Sequence, residues 1–194
     1  MVIEEQTVIV QEKEEVVSKD REVVSANAQV MDGLKAKVDE ELGKALPALR
    51  AAEDAVNSIE RQDIDTVKRY SNPPLVCVPV AEACMVLLKE KNSDWASFQK
   101  VMAAPGFLKR LQDYDKDNVP KQIISKLEVI IAKKMNQMEQ LAGASKACYS
   151  IGLWATAIKD YYYAMLKVRP LQEKQDKAIA ELNAANALLK DKED

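Results

Sequence analysis

The feature that most constrains this chain is a column of apolar residues near its start. Val10, Val17, Val24, Met31, Val38, Ala45, Ala52 and Ile59 recur every seventh residue without a break. A second column begins polar (Glu14, Arg21), passes through Ala28, is interrupted by Lys35, and continues as Leu42, Leu49 and Val56. From Val38 the two columns alternate at steps of four and three, the spacing that keeps one seam of a helix turned toward a partner helix. The end of the chain supplies that partner. Val168, Gln175, Leu182 and Leu189 form one column there, and Leu171, Ala178 and Ala185 form the other. The expected fold is all-α. Residues 1–55 and 161–194 are the arms of an antiparallel two-helix coiled coil, capped by a small globular bundle of about six helices over residues 56–160.

Composition agrees. The 194 residues include only five glycines, seven prolines and 5% aromatics, which leaves little room for sheet. Charged residues reach 30%, as long helices with exposed flanks require. The formal net charge of −3 gives no global basic footprint, so nucleic acid is excluded as the main partner and any electrostatic docking has to come from a local patch. Cys77, Cys84 and Cys148 are odd in number, lack metal-ligand spacing and sit among apolar neighbours. They read as buried thiols of a reducing compartment. With no run of 18 apolar residues and no signal peptide, the expectation is a soluble intracellular protein that does not enter a membrane.

Along the chain, residues 1–30 place two valine columns side by side, Val16/Val23/Val30 and Val17/Val24/Met31. Either one alone makes a seam; together they read as a broad apolar stripe or as a helix with two stripes to present. The first helix is expected over roughly 6–70. Gly33 and Gly43 weaken it by about 1 kcal/mol each relative to alanine. Pro47 kinks it without stopping it, since the heptads continue to Ile59. Ser71-Asn72-Pro73-Pro74 ends it, and Pro74 or Leu75 opens a nearly all-apolar core helix that reaches Lys91, with Pro79 one turn in. Asp94 caps a helix carrying Trp95, Phe98, Val101 and Met102. Pro105-Gly106 ends that one, and a short helix with Phe107, Leu108, Leu111 and Tyr114 follows. Residues 122–132 form another, and from Ser145 a long helix runs into the return arm, with a second kink at Pro170. The expected core holds Trp95, Trp154, Leu87, Leu88, Ile124, Leu127 and Cys84. The return arm is the shorter, so residues 1 to about 20 are expected to lack a partner within the chain.

Chemistry is sparse. There is no histidine, no glycine-rich phosphate loop, no nucleophile elbow and no cysteine pair at metal spacing. Asp115-Lys116-Asp117-Asn118 has the alternating oxygens of a calcium loop. Pro120 and Lys126, however, stand where the glycine and glutamate of such a loop belong. Tyr161-Tyr162-Tyr163 point three ways from a helix and read as packing where arm meets bundle. The chain is not an enzyme, and neither cofactor nor metal is expected.

At this point a resemblance enters. Val56-Asn57-Ser58-Ile59, followed after a spacer by Asn72-Pro73-Pro74, resembles the end of the first stalk helix of a dynein heavy chain. Ala81-Glu82-Ala83-Cys84-Met85-Val86-Leu87-Leu88 is similar to the helix that follows it there. Asp94-Trp95, Phe107-Leu108, Ala144-Ser145-Lys146-Ala147-Cys148, Trp154-Ala155 and Pro170-Leu171 match as well. Asp115-Lys116-Asp117-Asn118-Val119-Pro120 looks more like axonemal than cytoplasmic heavy chains. The match runs in order over nearly the whole chain.

The resemblance implies a microtubule-binding tip on a stalk, serving a distant ATPase ring, in the cytoskeleton and in a cilium or flagellum axoneme; the complementary seams at the two ends of the chain are what point to a monomer. It also implies a binding face of three helices: the one before Asn72-Pro73-Pro74, the one after Asp94, and the one that enters the second arm. Tubulin is acidic, so basic side chains on these helices are the physical requirement. Mapped onto them, the candidate contacts are Arg61, Lys68, Arg69, Lys100 and Lys146, with Arg69 turned about 100° from Lys68. Glu60, Gln99, Gly143 and Leu153 stand where relatives are often basic. The family also implies two registers of the arms, one for strong and one for weak binding. Two rival readings remain: a parallel coiled-coil dimer with a helical head, and an adaptor that takes a partner helix in a groove around Trp154.

Overall fold

The structure is a computed structural model that describes residues 2–193, with the side chains of residues 14–187 and 190. Among the described residues it is helical without a strand. The helices are α1 (Val2–Asn57), α2 (Arg61–Lys68), α3 (Val78–Leu87), α4 (Trp95–Ala103), α5 (Phe107–Gln112), α6 (Lys121–Lys134), α7 (Met138–Ala144) and α8 (Lys146–Glu193). A 3₁₀ turn, Lys116–Asn118, precedes α6. α1 runs through Pro47 and α8 through Pro170 without a break. The chain forms two compact units. One holds the residues up to Glu41 and from Leu166; the other is Leu42–Met165. The expected boundaries at residues 56 and 161 both fall inside the second unit.

The first unit is an antiparallel two-helix coiled coil. On its α8 strand Val168 and Ala178 are buried and Leu171, Gln175, Leu182 and Ala185 are half-buried, the two columns the heptads mark out. On its α1 side Val17, inside the stretch expected to lack a partner, is half-buried like Val24 and Met31, and Val38 is buried, whereas Val16, Val23 and Val30 stand 44%, 52% and 55% exposed. The second column differs from expectation. Glu14, Arg21 and Lys35 are exposed, and Asp20, Asn27 and Leu34 occupy the half-buried positions beside Ala28. A helix turns 3.6 residues at a time, so the positions three and four residues on flank a seam equally, and here the third one wins. Lys167 closes the pair at one end through Glu41, Nζ to Oε2 3.0 Å. Val10 and Leu189 lie outside the residues whose side chains are described.

The second unit packs α2–α7 around the end of α1 and the start of α8. Ala45, Leu49, Ala52, Val56 and Ile59 carry the buried stripe of the first arm into it. α3 is the central helix, buried at Pro79, Val80, Ala81, Ala83, Cys84, Met85 and Leu87. It begins at Val78 and ends at Leu87, later and earlier than expected. Pro79 has no N–H and its ring crowds the carbonyl four residues back, so it opens the helix at its second position. The end closes through Lys89 N–H to Val86 O and Glu90 N–H to Met85 O, with Lys89 in the left-handed region at φ 57°. Trp154, Leu87, Ile124, Leu127 and Cys84 are buried as expected, while Leu88 and Trp95 are only half-buried. α7 lies close on α8 because Gly152 has no side chain there. A Cβ would meet Leu141 Cδ2 at 3.2 Å. All three cysteines are buried free thiols. Burial pushes Cys84 up to about 12, and the hydrogen bond with Cys77, together with burial, raises Cys148. Protonated at neutral pH, these two act as small apolar groups.

The first helix does not reach residue 70. α1 ends at Asn57, where the Ser58 hydroxyl donates to Ala55 O at 2.8 Å and Ile59 N–H turns back to Val56 O. Glu60 is extended (φ −94°, ψ 162°), and its N–H is taken by Asp63 Oδ2 at 2.8 Å, half of a capping box that starts α2 afresh.

Candidate functional site

The break at Ser58–Glu60 frees α2 to lie as a separate eight-residue helix, and eight residues are too few to hold themselves. Two neighbours fix it. At its start, Lys146 in the first turn of α8 donates to Ser58 O at 2.8 Å and pairs with Asp63 Oδ2 at 3.4 Å. At its end, α4 supplies donors. Asp94 caps α4, accepting from Ser97 N (3.0 Å) and Ser97 Oγ (2.7 Å), and these bonds hold its carboxyl below the usual range. One turn into that helix Gln99 Nε2 approaches Val67 O (3.2 Å), Lys68 O (3.1 Å) and Tyr70 O (3.0 Å), while Trp95 Nε1 donates to Tyr70 O at 3.3 Å. Tyr70 then reaches across to the last residue of α7, its hydroxyl donating to Ala144 O at 3.2 Å. Trp95 is half-buried for this reason: its ring packs on Phe98 at 5.4 Å while its N–H serves a carbonyl at the surface.

α2, α4 and the start of α8 are thus clipped together, and the candidate cations ride on them. Arg61, Lys68 and Arg69 are exposed at the two ends of α2, Lys100 is exposed in the last turn of α4, and Lys146 is exposed at the start of α8. Their electrostatic states differ. Lys68 pairs with Asp65 at 3.1 Å, and that bond, helped by the charges of Arg61 and Arg69, holds the Asp65 carboxyl below its usual range. Lys146 is tied to Asp63 and Ser58. Arg61, Arg69 and Lys100 make no ion pair among the described residues.

Other sequence candidates resolve as packing. Tyr161 is buried and its hydroxyl donates to Asp117 Oδ1 at 2.7 Å; Tyr163 is exposed and donates to Glu128 Oε2 at 2.9 Å. The loop with the alternating oxygens of a calcium site is tied by its own side chains and by α1, Asn118 donating to Asp115 at 2.9 Å and Lys116 to Glu53 at 2.7 Å. Trp154 is 2% exposed and stands edge-on to Tyr114 at 5.2 Å, so no groove opens around it for a partner helix. Glu60 serves as the N-cap of α2, Gly143 is exposed on α7, and Leu153 is half-buried against the core. Sequence reasoning missed Asp63, Asp65, Tyr70 and the clamping role of Gln99. Only the first had a visible signal, the acidic residue three places after Glu60.

A solved structure titled "Microtubule Binding Domain of DYNEIN-C" superposes with a TM-score of 0.60 at 27% identity, covering 69% of this chain and 94% of that one. Human dynein axonemal heavy chain 14 is 29% identical over 164 residues, 84% of this chain and 5% of its own. Human dynein axonemal heavy chain 6 is 35% identical over 133 residues, 69% of this chain and 3% of its own. The cytoplasmic dynein heavy chain of Dictyostelium discoideum is 31% identical over 159 residues, 79% of this chain and 3% of its own. The chain therefore spans only a few per cent of the length of these relatives. The family model described as "MT: Microtubule-binding stalk of dynein motor" matches residues 1–193, and with that match over a helical fold of the same kind, the chain belongs to the microtubule-binding stalk family of the dynein motors.

Proposed function

We propose that this chain docks on microtubules through α2, α4 and the start of α8, as the tip and distal stalk of an axonemal-type dynein heavy chain whose ATPase lies elsewhere in the protein. The observation that carries the reading is the clipping of three separate helices into one assembly bearing Arg61, Lys68, Arg69, Lys100 and Lys146 at its surface. A flat acidic partner such as tubulin is met by cations held in place, since fixed complementary charge steers encounter and sets orientation. The coiled coil relays the docked state by sliding about half a heptad, roughly 5 Å at 1.5 Å per residue. The exposed column Val16/Val23/Val30 beside the occupied Val17/Val24/Met31 supports a second seam of this kind. The same chain acts as a monomer, with its seam satisfied internally.

Microtubule co-sedimentation at two salt concentrations tests the docking. Lys68→Glu reverses one charge without touching the core. It should weaken binding while changing stability by less than about 0.5 kcal/mol, as surface substitutions do. Added salt should weaken the wild type more than the variant. Unchanged co-sedimentation after joint reversal of Arg61, Lys68 and Lys100 would move the docking face elsewhere.

A further inference from the structure

We propose that Gln99 is the positioning residue of the docking face: its side-chain amide holds the C-terminal end of α2, and with it Lys68 and Arg69, in the pose that meets the microtubule. The inference rests on the reading that α2, α4 and α8 form that face.

The last carbonyls of a helix have no partner within it, and most helices close them with a left-handed residue or a side chain. α2 has no left-handed cap. Arg69 stays in the right-handed region (φ −84°, ψ −10°), and the N–H groups of Arg69 and Tyr70 return only to Thr66 O and Val67 O. Gln99 supplies the missing donor to Lys68 O at 3.1 Å and, just past the helix, to Tyr70 O at 3.0 Å, and it also reaches Val67 O at 3.2 Å, which already accepts from Tyr70 N–H. Its amide has two hydrogens, so the three carbonyls share them in a forked arrangement that fixes the amide plane and the helix end together. Trp95 adds a donor to Tyr70 O, and the Tyr70 hydroxyl ties the same segment to Ala144 beside α8. The two cations at this end, Lys68 and Arg69, leave the backbone between the clamped carbonyls. Their Cα positions are therefore set by Gln99, although Gln99 carries no charge.

Gln99→Met tests this, because it keeps length and charge and removes both donors. Co-sedimentation with microtubules is measured over a salt series beside the wild type. Affinity at low salt should fall about threefold to tenfold, the worth of one net hydrogen bond, and its dependence on salt should flatten as Lys68 and Arg69 lose their bearing on the acidic surface. Hydrogen exchange should quicken at the Arg69 and Tyr70 amides and stay unchanged within α3. In a Lys68→Gln/Arg69→Gln background the substitution should have no further effect. Unchanged affinity overturns the proposal. So does a loss that leaves the salt slope intact and persists in that background, since Gln99 would then touch the microtubule itself. If Gln99→Met loosens the whole fold, Gln99→Lys restores a donor and is read by exchange: protection of Arg69 and Tyr70 retained supports the clamp, and protection lost overturns it. A wild type that fails to sediment refutes the docking reading, whereas a wild type that sediments beside an unaltered variant refutes only the clamp.

Discussion

Trp154 offers the firmest test of the core on which the proposed docking helices rest. It is 2% exposed on α8 and its ring meets Tyr114 edge-on, centroids 5.2 Å apart at 79°. A buried tryptophan removes about 200 Å² from water, which at about 25 cal/mol/Å² bounds the loss near 5 kcal/mol for Trp154→Ala. The unfolded chain already hides part of that area, which lowers the figure; the cavity and the lost aromatic contact, about 0.5–1.5 kcal/mol, raise it again. The expected cost is about 3–5 kcal/mol, a large share of the stability of about 5–15 kcal/mol that a domain has to lose. Urea unfolding followed by far-ultraviolet circular dichroism reads it as a midpoint lowered by about 2 M. Trp154→Phe keeps a ring beside Tyr114 and should lose less than half as much. Val129→Ala, at a site 52% exposed on α6, should stay within about 0.5 kcal/mol. A Trp154→Ala cost below about 1.5 kcal/mol would refute the reasoning, because no well-packed core of this kind collapses around so large a deletion.

Lys89 holds a left-handed backbone (φ 57°) at the C-terminal end of α3, a position that suits glycine. Lys89→Gly should raise stability by about 0.5–1 kcal/mol, relief of the strain exceeding glycine's extra entropy in the unfolded chain, and Lys89→Ala should not; thermal melting distinguishes them. Burial, helped by the nearby charge of Asp115, pushes the Tyr114 hydroxyl up to about 12 from its ordinary value of 10.0. A folded-state pKa that is raised gives stability fully present below the unfolded value and lost as pH rises through the folded one. The stability of the wild type relative to Tyr114→Phe should therefore fall between pH 10 and about 12, and a difference constant over that range would contradict the assignment.

The seam on α8 was legible because its polar and apolar positions alternate cleanly, and Val168, Leu171, Gln175, Ala178, Leu182 and Ala185 are the positions turned inward. The seam on α1 was half legible. Its valine column is right, but its second column falls on Asp20, Asn27 and Leu34, where composition gives no apolar signal until Leu34. The break after Asn57 was hidden by Ile59, which continues the heptad into the bundle and is buried there although it is no longer helical. Its local signals were short-range and polar: the Ser58 hydroxyl on Ala55 O and Asp63 on the Glu60 N–H. The start of α3 turned on which of two prolines opens the helix, a choice settled by Pro79 lacking an N–H.

The site was legible as residue types and not as geometry. Charge on three helices is visible in the sequence. The bonds that gather those helices are not, because Gln99, Trp95 and Tyr70 act on backbone carbonyls 25 to 74 positions away, with no spacing to mark them. The gathered cations are also unequal in a way no sequence states. Lys68 and Lys146 already have carboxylate partners, whereas Arg61, Arg69 and Lys100 have none among the described residues. Long-range attraction toward an acidic surface therefore comes mainly from the unpaired three, since the fields of a close ion pair cancel at a distance. At contact the order changes. An exposed pair such as Lys68–Asp65 is worth no more than about 1 kcal/mol, so on the proposed docking face Lys68 would give up Asp65 for an acidic partner at little cost. Lys146 also holds Ser58 O and Asp63 at the start of α2, so the same exchange there would loosen the helix it helps to present. Lys68 is on this argument the cation whose reversal weakens docking most cleanly, and Lys146 the one whose reversal also disturbs the fold.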